Sequence, residues 1–528
     1  MKKVYYNGTI LTLSEKENVE AVLIENGKII EVGNKEEIFK LINGEEVEKI
    51  DLQGDCLMPS FIDSHSHITS LAQTLGIAQL DKCLDFEEII KTMKKFKDEN
   101  NKEDNEWIIG FGYDNNFLKE KAHPTRQDLD KISKENPVII THKSGHMGVV
   151  NTKALEILEI TENTKTPEGG VIGREEGTQI PNGYLEENAF INATQKAQLN
   201  TKEQMMELIK KAEKIYASYG ITTVQDGITK QNEFDILKTM ADNNMLDLDI
   251  VSYIDIKNSK ELVKNNIDSV RRYYNNYKIG GYKLFLDGSP QGRTAWMSKP
   301  YEGEKEYKGY PIYTDEQVEN YVKTALEENM QLITHCNGDA AAEQLIKSYE
   351  KVNKTDTYRP VMIHAQLVRK DQLKRMKKIN MIPSFFVAHV YYWGDIHIKN
   401  FGKRAQEISP IKSAIEDNLV YTMHQDTPVL QPNMFETIWC AVKRTTQNGI
   451  ELGDSQKITV LDAIKGVTIN AAYQYFEEKE KGSIEKGKNA DFIIIDKNPF
   501  EIDIDDIKNI KILYTIKNGQ IIYENKES

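Results

Sequence analysis

The chain alternates short apolar runs with polar, turn-forming text, and the period of that alternation changes along its length. At the N-terminus the runs are β-type: residues 4–13, then Ala21-Val22-Leu23-Ile24 and Ile29-Ile30-Glu31-Val32, with Asn26-Gly27 between the last two. Asn-Gly between β-branched runs is a strong signal for a two-residue hairpin. Nearly the same text returns at the far end, where residues 512–517 and 520–523 flank Asn518-Gly519. Hairpins at both termini pair only if the chain ends meet, which predicts one small β-sandwich assembled from residues 1–57 and 430–528.

From residue 201 helix-period text alternates with short buried runs, the pattern of parallel βα units. Residues 201–219 are amphipathic, with Thr201 as candidate N-cap and Gly220 at the stop. Strand candidates follow at 221–226, 248–254, 282–286, 332–335, 361–364, 382–387 and 419–424, and the run at 61–67 makes eight. The predicted fold is α/β: a (β/α)8 TIM barrel over 58–429, whose chemistry sits at the C-terminal strand ends. Residues 76–200 interrupt this order. They read as mixed helix and loop, with a charged stretch at 97–106 and Pro/Gly-rich turns at 166–183, hence as an insertion after the first barrel strand and a candidate lid.

Composition narrows the choice of partner. The 528 residues, 39% apolar and 28% charged, fit a globular protein too long for one ordinary core. The 68 basic and 82 acidic residues give a net charge of -14, which disfavours nucleic acid or an anionic membrane as main partner and favours a small molecule. The start, Val4-Tyr5-Tyr6-Asn7-Gly8-Thr9-Ile10, lacks the apolar core of a signal peptide. No run approaches the ~18 apolar residues of a membrane span. Cys56, Cys83, Cys336 and Cys440 are scattered, which suggests reduced thiols. A cytoplasmic enzyme is expected, with homo-oligomerisation left open.

The strand ends carry the chemistry. Strand 1 runs into His65-Ser66-His67, and residues i and i+2 of a strand share a face, whereas on a helix they would stand about 200° apart. Two co-facial imidazoles form half of a metal site. Strand 4 carries Lys283, strand 5 ends in His335, strand 6 in His364, and strand 8 leads to Asp426, so that five of the eight strands bear metal-type ligands.

On these residues the chain resembles the amidohydrolase superfamily of metal-dependent hydrolases. The texts Lys283-Leu284-Phe285-Leu286-Asp287-Gly288-Ser289, His335-Cys336-Asn337-Gly338-Asp339 and Asp426-Thr427-Pro428-Val429 resemble its N-substituted formamide deformylase branch, and 482–492 is similar to a C-terminal hairpin of many members. The resemblance implies a centre of one or two divalent ions, zinc foremost. Carboxylated Lys283 would bridge the ions, with His65, His67 and Asp426 on one and His335 and His364 on the other. It also implies Asp426 as the proton-handling catalytic residue beside a metal-bound hydroxide. An unmodified Lys283 paired with an acid, beside a single ion, is the alternative. The family's usual Gly-Ser before this aspartate is here His424-Gln425, which leaves the substrate class open.

The expected activity is hydrolysis of a non-peptide C–N bond, a linear N-formyl or N-acyl amide. A deaminase of the same superfamily and a non-catalytic regulatory barrel are the rival readings. The first would place a glutamate shortly after His335, and the second would have lost ligands. His389 and Trp393 after strand 7, and Asp114 and His146 in the insertion at positions resembling family pocket residues, are candidate substrate contacts. Arg293 reads as a surface ion pair or a carboxylate clamp. His123, His142 and His397 are assigned no role.

Overall fold

A computed structural model describes residues 2–16, 19–197, 201–352 and 358–526. The chain divides into two compact units, Met1–Thr69 with Ala212–Ser528, and Ser70–Lys211.

In the first unit eight strands form one parallel sheet: β1 Phe61–Ile62, β2 Ile221–Thr229, β3 Asp249–Asp255, β4 Tyr277–Phe285, β5 Gln331–Cys336, β6 Val361–His364, β7 Ile382–Phe385 and β8 Thr422–Met423, hydrogen-bonded in that order. Their near-continuous apolar runs suit strands covered on both faces. The two edges of the sheet meet. Ser64 Oγ donates to the Met423 carbonyl at 3.0 Å, and His67 N donates to the Thr427 carbonyl at 2.8 Å. The sheet is thereby curled into a TIM-like barrel. Ile62, Val251, Tyr253, Ile333, Val361, Ile363 and Ile382 fill its interior against Ala471, Ala472 and Tyr475 of the C-terminal segment.

β1 stops at Ile62, short of the expected residue 67, and only scattered backbone bonds continue beyond it: Asp63 N donates to the Thr223 carbonyl at 2.9 Å and Gly227 N to the Ser66 carbonyl at 2.8 Å. His65 N donates to Asp63 Oδ1 at 3.2 Å, and His67 forms an isolated bridge to Asp226 beside its bond to the Thr427 carbonyl. The helix Lys202–Ser218 begins at Thr201, whose Oγ1 accepts from Gln204 N at 3.2 Å, and ends at Gly220 with φ +79°.

Both Asn-Gly turns form, with left-handed φ at Asn26, Gly27, Asn518 and Gly519, the conformation a type I′ turn demands. A four-stranded sheet uses Lys2–Tyr6, Ala21–Glu25, Lys28–Gly33 and Glu48–Asp51; a five-stranded sheet joins Thr9–Ile10 and Cys56–Pro59 to Phe492–Ile495, Ile512–Lys517 and Gln520–Glu524. Tyr5, Val22 and Ile24 of one pack in the same cluster as Leu57, Phe492 and Ile516 of the other. The helices Met434–Lys443, Val460–Gly466 and Ile469–Gln474 come between β8 and the C-terminal strands.

At the N-terminal ends of β3 and β4 lies a buried ionic network. Asp249 pairs with Lys481 and with Lys517 (2.9 Å), and Glu477 with Lys278 and with Lys481 (2.8 Å). Chemistry in this fold sits at the opposite strand ends, so these charges tie the C-terminal segment to the barrel.

The second unit holds a six-stranded sheet in the order Gly170–Arg174, Pro181–Glu187, Met147–Val150, Val138–His142, Ile108–Tyr113, Ala78–Gln79. Periodicity read this stretch as mixed helix and loop. Its central strands bury both faces, Ile108, Val138 and Ile140 on one and Ile109, Ile139 and Val150 on the other, so they show neither a period of two nor a helical one. Among the described residues no helix is long and apolar enough to cross a membrane.

Candidate metal centre

His65, His67 and Asp426 offer ligand atoms that all lie within 4.8 Å of one another. Asp426 is the hub. Its Oδ1 is 3.3 Å from His67 Nε2 and 3.5 Å from His65 Nε2, and its Oδ2 is 3.8 Å from His364 Nε2. Buried Oδ1 nevertheless makes no hydrogen bond, and an orphaned buried oxygen demands a partner such as an ion. Lys283 Nζ sits 3.3 Å from His65 Nε2, and the His335 ring stands 4.6 Å from that of His364. The structure therefore brings all six predicted ligands to one end of the barrel.

The nitrogens turned away from this centre are all occupied for three of the histidines. His65 Nδ1 meets Gln225 Oε1 at 2.6 Å, His364 Nδ1 meets His424 Nε2 at 3.2 Å, and His335 Nε2 donates to the Gly288 carbonyl at 3.2 Å. A metal-binding histidine characteristically gives its second N–H to such a partner, which fixes its tautomer and orientation. These donors therefore suit a divalent metal. His364 and Asp426 are held with φ of +73° and +55°, a left-handed backbone uncommon for non-glycine residues.

Burial, and then the Lys283 charge, hold the His65 imidazole well below its ordinary pKa, and burial followed by His335 does so for His364, so both are neutral and able to ligate. Burial brings Lys283 down to about 7. Burial would raise the Asp426 carboxyl, but the nearby His67, His364 and His65 outweigh it and hold it well below the carboxylate range.

A family model described as the amidohydrolase family matches residues 48–523. The chain belongs to that family. The putative amidohydrolase YtcJ of Bacillus subtilis (strain 168) is 26% identical over 99% of this chain and 100% of its own length. The N-substituted formamide deformylase of Arthrobacter pascens is 24% identical over 99% and 98%. A crystal structure of an uncharacterized metal-dependent hydrolase from Pyrococcus horikoshii OT3 matches with TM-score 0.78 and 26% identity, covering 96% of this chain and 99% of that one. Membership makes this chain an amidohydrolase, and the solved structure it resembles is that of a metal-dependent hydrolase.

The remaining candidates of this amidohydrolase divide by location. His389 is buried, with Nδ1 3.0 Å from His397 Nε2 and its ring 4.5 Å from Trp393. Phe386 contacts both His389 (4.7 Å) and His364 (6.1 Å), so this aromatic cluster borders the centre through Phe386. Asp114 and His146 belong to the second unit. Asp114 pairs there with Lys143 and with His142 (3.4 Å), and His146 lies 3.3 Å from Glu187. Arg293 pairs with Glu304 at 2.9 Å. Three contributors went unassigned in sequence: Gln225, His424 and Gly227, where an added Cβ would come within 2.8 Å of Cε1 of both His65 and His67. The only signal for the first and last was a polar break, Gln225-Asp226-Gly227, inside an apolar strand.

Proposed function

We propose that this amidohydrolase cleaves the C–N bond of a small linear amide, an N-formyl or N-acyl amine. We take zinc as the metal: His65, His67 and Asp426 would hold one ion, His335 and His364 would hold a second, and Lys283, once carboxylated, would supply an anionic oxygen donor. The observation that carries this reading is the convergence of these donors, three of the histidines with the far nitrogen already tied. When bound, the metal supplies a Lewis acid for the carbonyl and makes water a nucleophile near neutral pH. Asp426 Oδ1, buried and unpartnered, is placed to take the proton of the attacking water and return it to the leaving nitrogen. Burial brings the Lys283 amine to about 7, so that its neutral form, the one that reacts with CO2, is accessible near neutrality.

The amide preference draws on the similarity to the formamide deformylase. The first acid after His335, Asp339, is already engaged and not free to serve a deaminase. Asn337 Nδ2 donates to the Gly288 carbonyl at 2.8 Å, and the Asp339 oxygens accept from Ser298 N (2.8 Å) and Arg369 (3.0 Å). We take the two terminal sheets, which share one core, as the composite sandwich and the 76–200 stretch as the insertion.

The test is bound metal per chain, together with product analysis on a panel of N-formyl amines, N-acyl amines and amino-purines. Carboxylate release is expected from the amides, and His65→Ala is expected to abolish both metal retention and turnover while leaving the circular dichroism spectrum unchanged. Ammonia release from the amino-purines, or unchanged turnover in His65→Ala, would sink the reading.

A further inference from the structure

The partner of His364 differs in kind from those of the other two tied histidines. A carbonyl holds His335 and an amide oxygen holds His65, and both are acceptors. His364 instead faces another imidazole, which can either donate or accept. What lies behind that imidazole decides between them. His424 Nδ1 is 2.8 Å from Ser384 Oγ, Ser384 Oγ is 3.4 Å from Ser64 Oγ, and Ser64 Oγ donates to the Met423 carbonyl at 3.0 Å. His364, His424, Ser384 and Ser64 are all buried, so no bulk water substitutes for a missing link.

A carbonyl only accepts, so the last bond sets the polarity of the whole chain. Ser64 has given its proton to Met423 and accepts from Ser384; Ser384 accepts from His424 Nδ1–H; His424 therefore presents the lone pair of Nε2 to His364 Nδ1–H. The lone pair of His364 is left on Nε2, the nitrogen 3.8 Å from Asp426 Oδ2. Reversing the direction would leave no proton for the contact between the two serines.

We propose that His424 is a positioning residue which, held by Ser384 and Ser64, locks His364 in the Nδ1–H tautomer and aims its Nε2 lone pair at the metal centre. The proposal rests on the metal-site reading above. The chain crosses four elements: Ser64 follows β1, Ser384 lies in β7, His424 follows β8 and His364 ends β6. Closure of the barrel and the orientation of one ligand are thus the same set of bonds.

The experiment measures Zn2+ affinity by chelator competition, and the visible spectrum of the Co2+-loaded protein, for wild type, His424→Phe, His424→Gln, Ser384→Ala and His65→Ala. His424→Phe removes the acceptor and should lose about 10–100-fold in Zn2+ affinity, the usual cost of removing such a partner, with an altered Co2+ spectrum. His424→Gln, which restores an acceptor oxygen, should recover most of the affinity, and Ser384→Ala should shift it in the same direction as His424→Phe. Wild-type affinity in His424→Phe, or no recovery in His424→Gln, would overturn the proposal. If His424→Phe does not fold, Ser384→Ala decides: unchanged affinity and spectrum overturn it. If His65→Ala loses Zn2+ while the other variants bind as wild type, the proposal alone fails. If wild type takes up no Zn2+, the metal-site reading fails with it.

Discussion

The side-chain oxygen of Gln225 lies 2.6 Å from Nδ1 of His65, while Nε2 of the same ring faces Asp426 at 3.5 Å. Gln225 is itself oriented. Its Nε2 donates to the Ser64 carbonyl at 2.9 Å and to Tyr475 Oη at 3.0 Å, and Tyr475 in turn donates to the Asp63 carbonyl at 2.6 Å. A residue of the C-terminal segment thereby reaches the first histidine through one amide.

Gln225→Leu removes the acceptor while keeping similar bulk. We expect a fall in metal affinity of about 10–100-fold, read by metal titration of the apo-protein, with a correctly folded barrel by circular dichroism. Tight binding at the wild-type level would show that His65 needs no such anchor.

Gly227→Ala should disturb both opening histidines at once. Its Cβ would stand 2.8 Å from Cε1 of each, and overpacking of this kind costs about 1–3 kcal/mol. The expected outcome is loss of bound metal with a modest drop in thermal stability, measured by metal analysis and calorimetry on the same sample. Full metal occupancy would contradict the geometry.

Loading of the centre should depend on pH through Lys283. Burial lowers its pKa from 10.5 to about 7, so the amine is protonated below that value and neutral above it, and only the neutral amine attacks CO2. Reconstitution of apo-protein with zinc and bicarbonate should therefore accelerate as pH rises through about 7. Lys283→Arg, which stays charged, should not respond to bicarbonate. A rate that is flat from pH 6 to 8, on the order of one unit either side of that pKa, would argue against carboxylation.

Asp249→Ala strips the carboxylate shared by Lys481 and Lys517. Breaking a buried pair in this way costs about 3–5 kcal/mol, so thermal unfolding should shift markedly downward. Metal content per folded chain should stay at the wild-type level, since Asp249 opens β3 at the end of the barrel away from the ligands. A loss of metal without a loss of stability would reverse the roles assigned to the two ends.

The sequence by itself determined the chemical types and their order. His65, His67, Lys283, His335, His364 and Asp426 stand at or just beyond the apolar runs that become barrel strands, and both Asn-Gly pairs form their turns. These features are local: burial on both faces, an i to i+2 spacing and left-handed backbone all act within a few residues. Tertiary structure alone decided which neighbour orients each ligand. His65 and Gln225 are 160 positions apart and His364 and His424 are 60 apart, and no periodicity relates such pairs. It also decided that a six-stranded sheet lies between Ala78 and Glu187, because strands covered on both faces lose the alternation that marks a strand in text. A ligand's identity is written in its own side chain, whereas its tautomer is set by whatever the closed barrel places behind it.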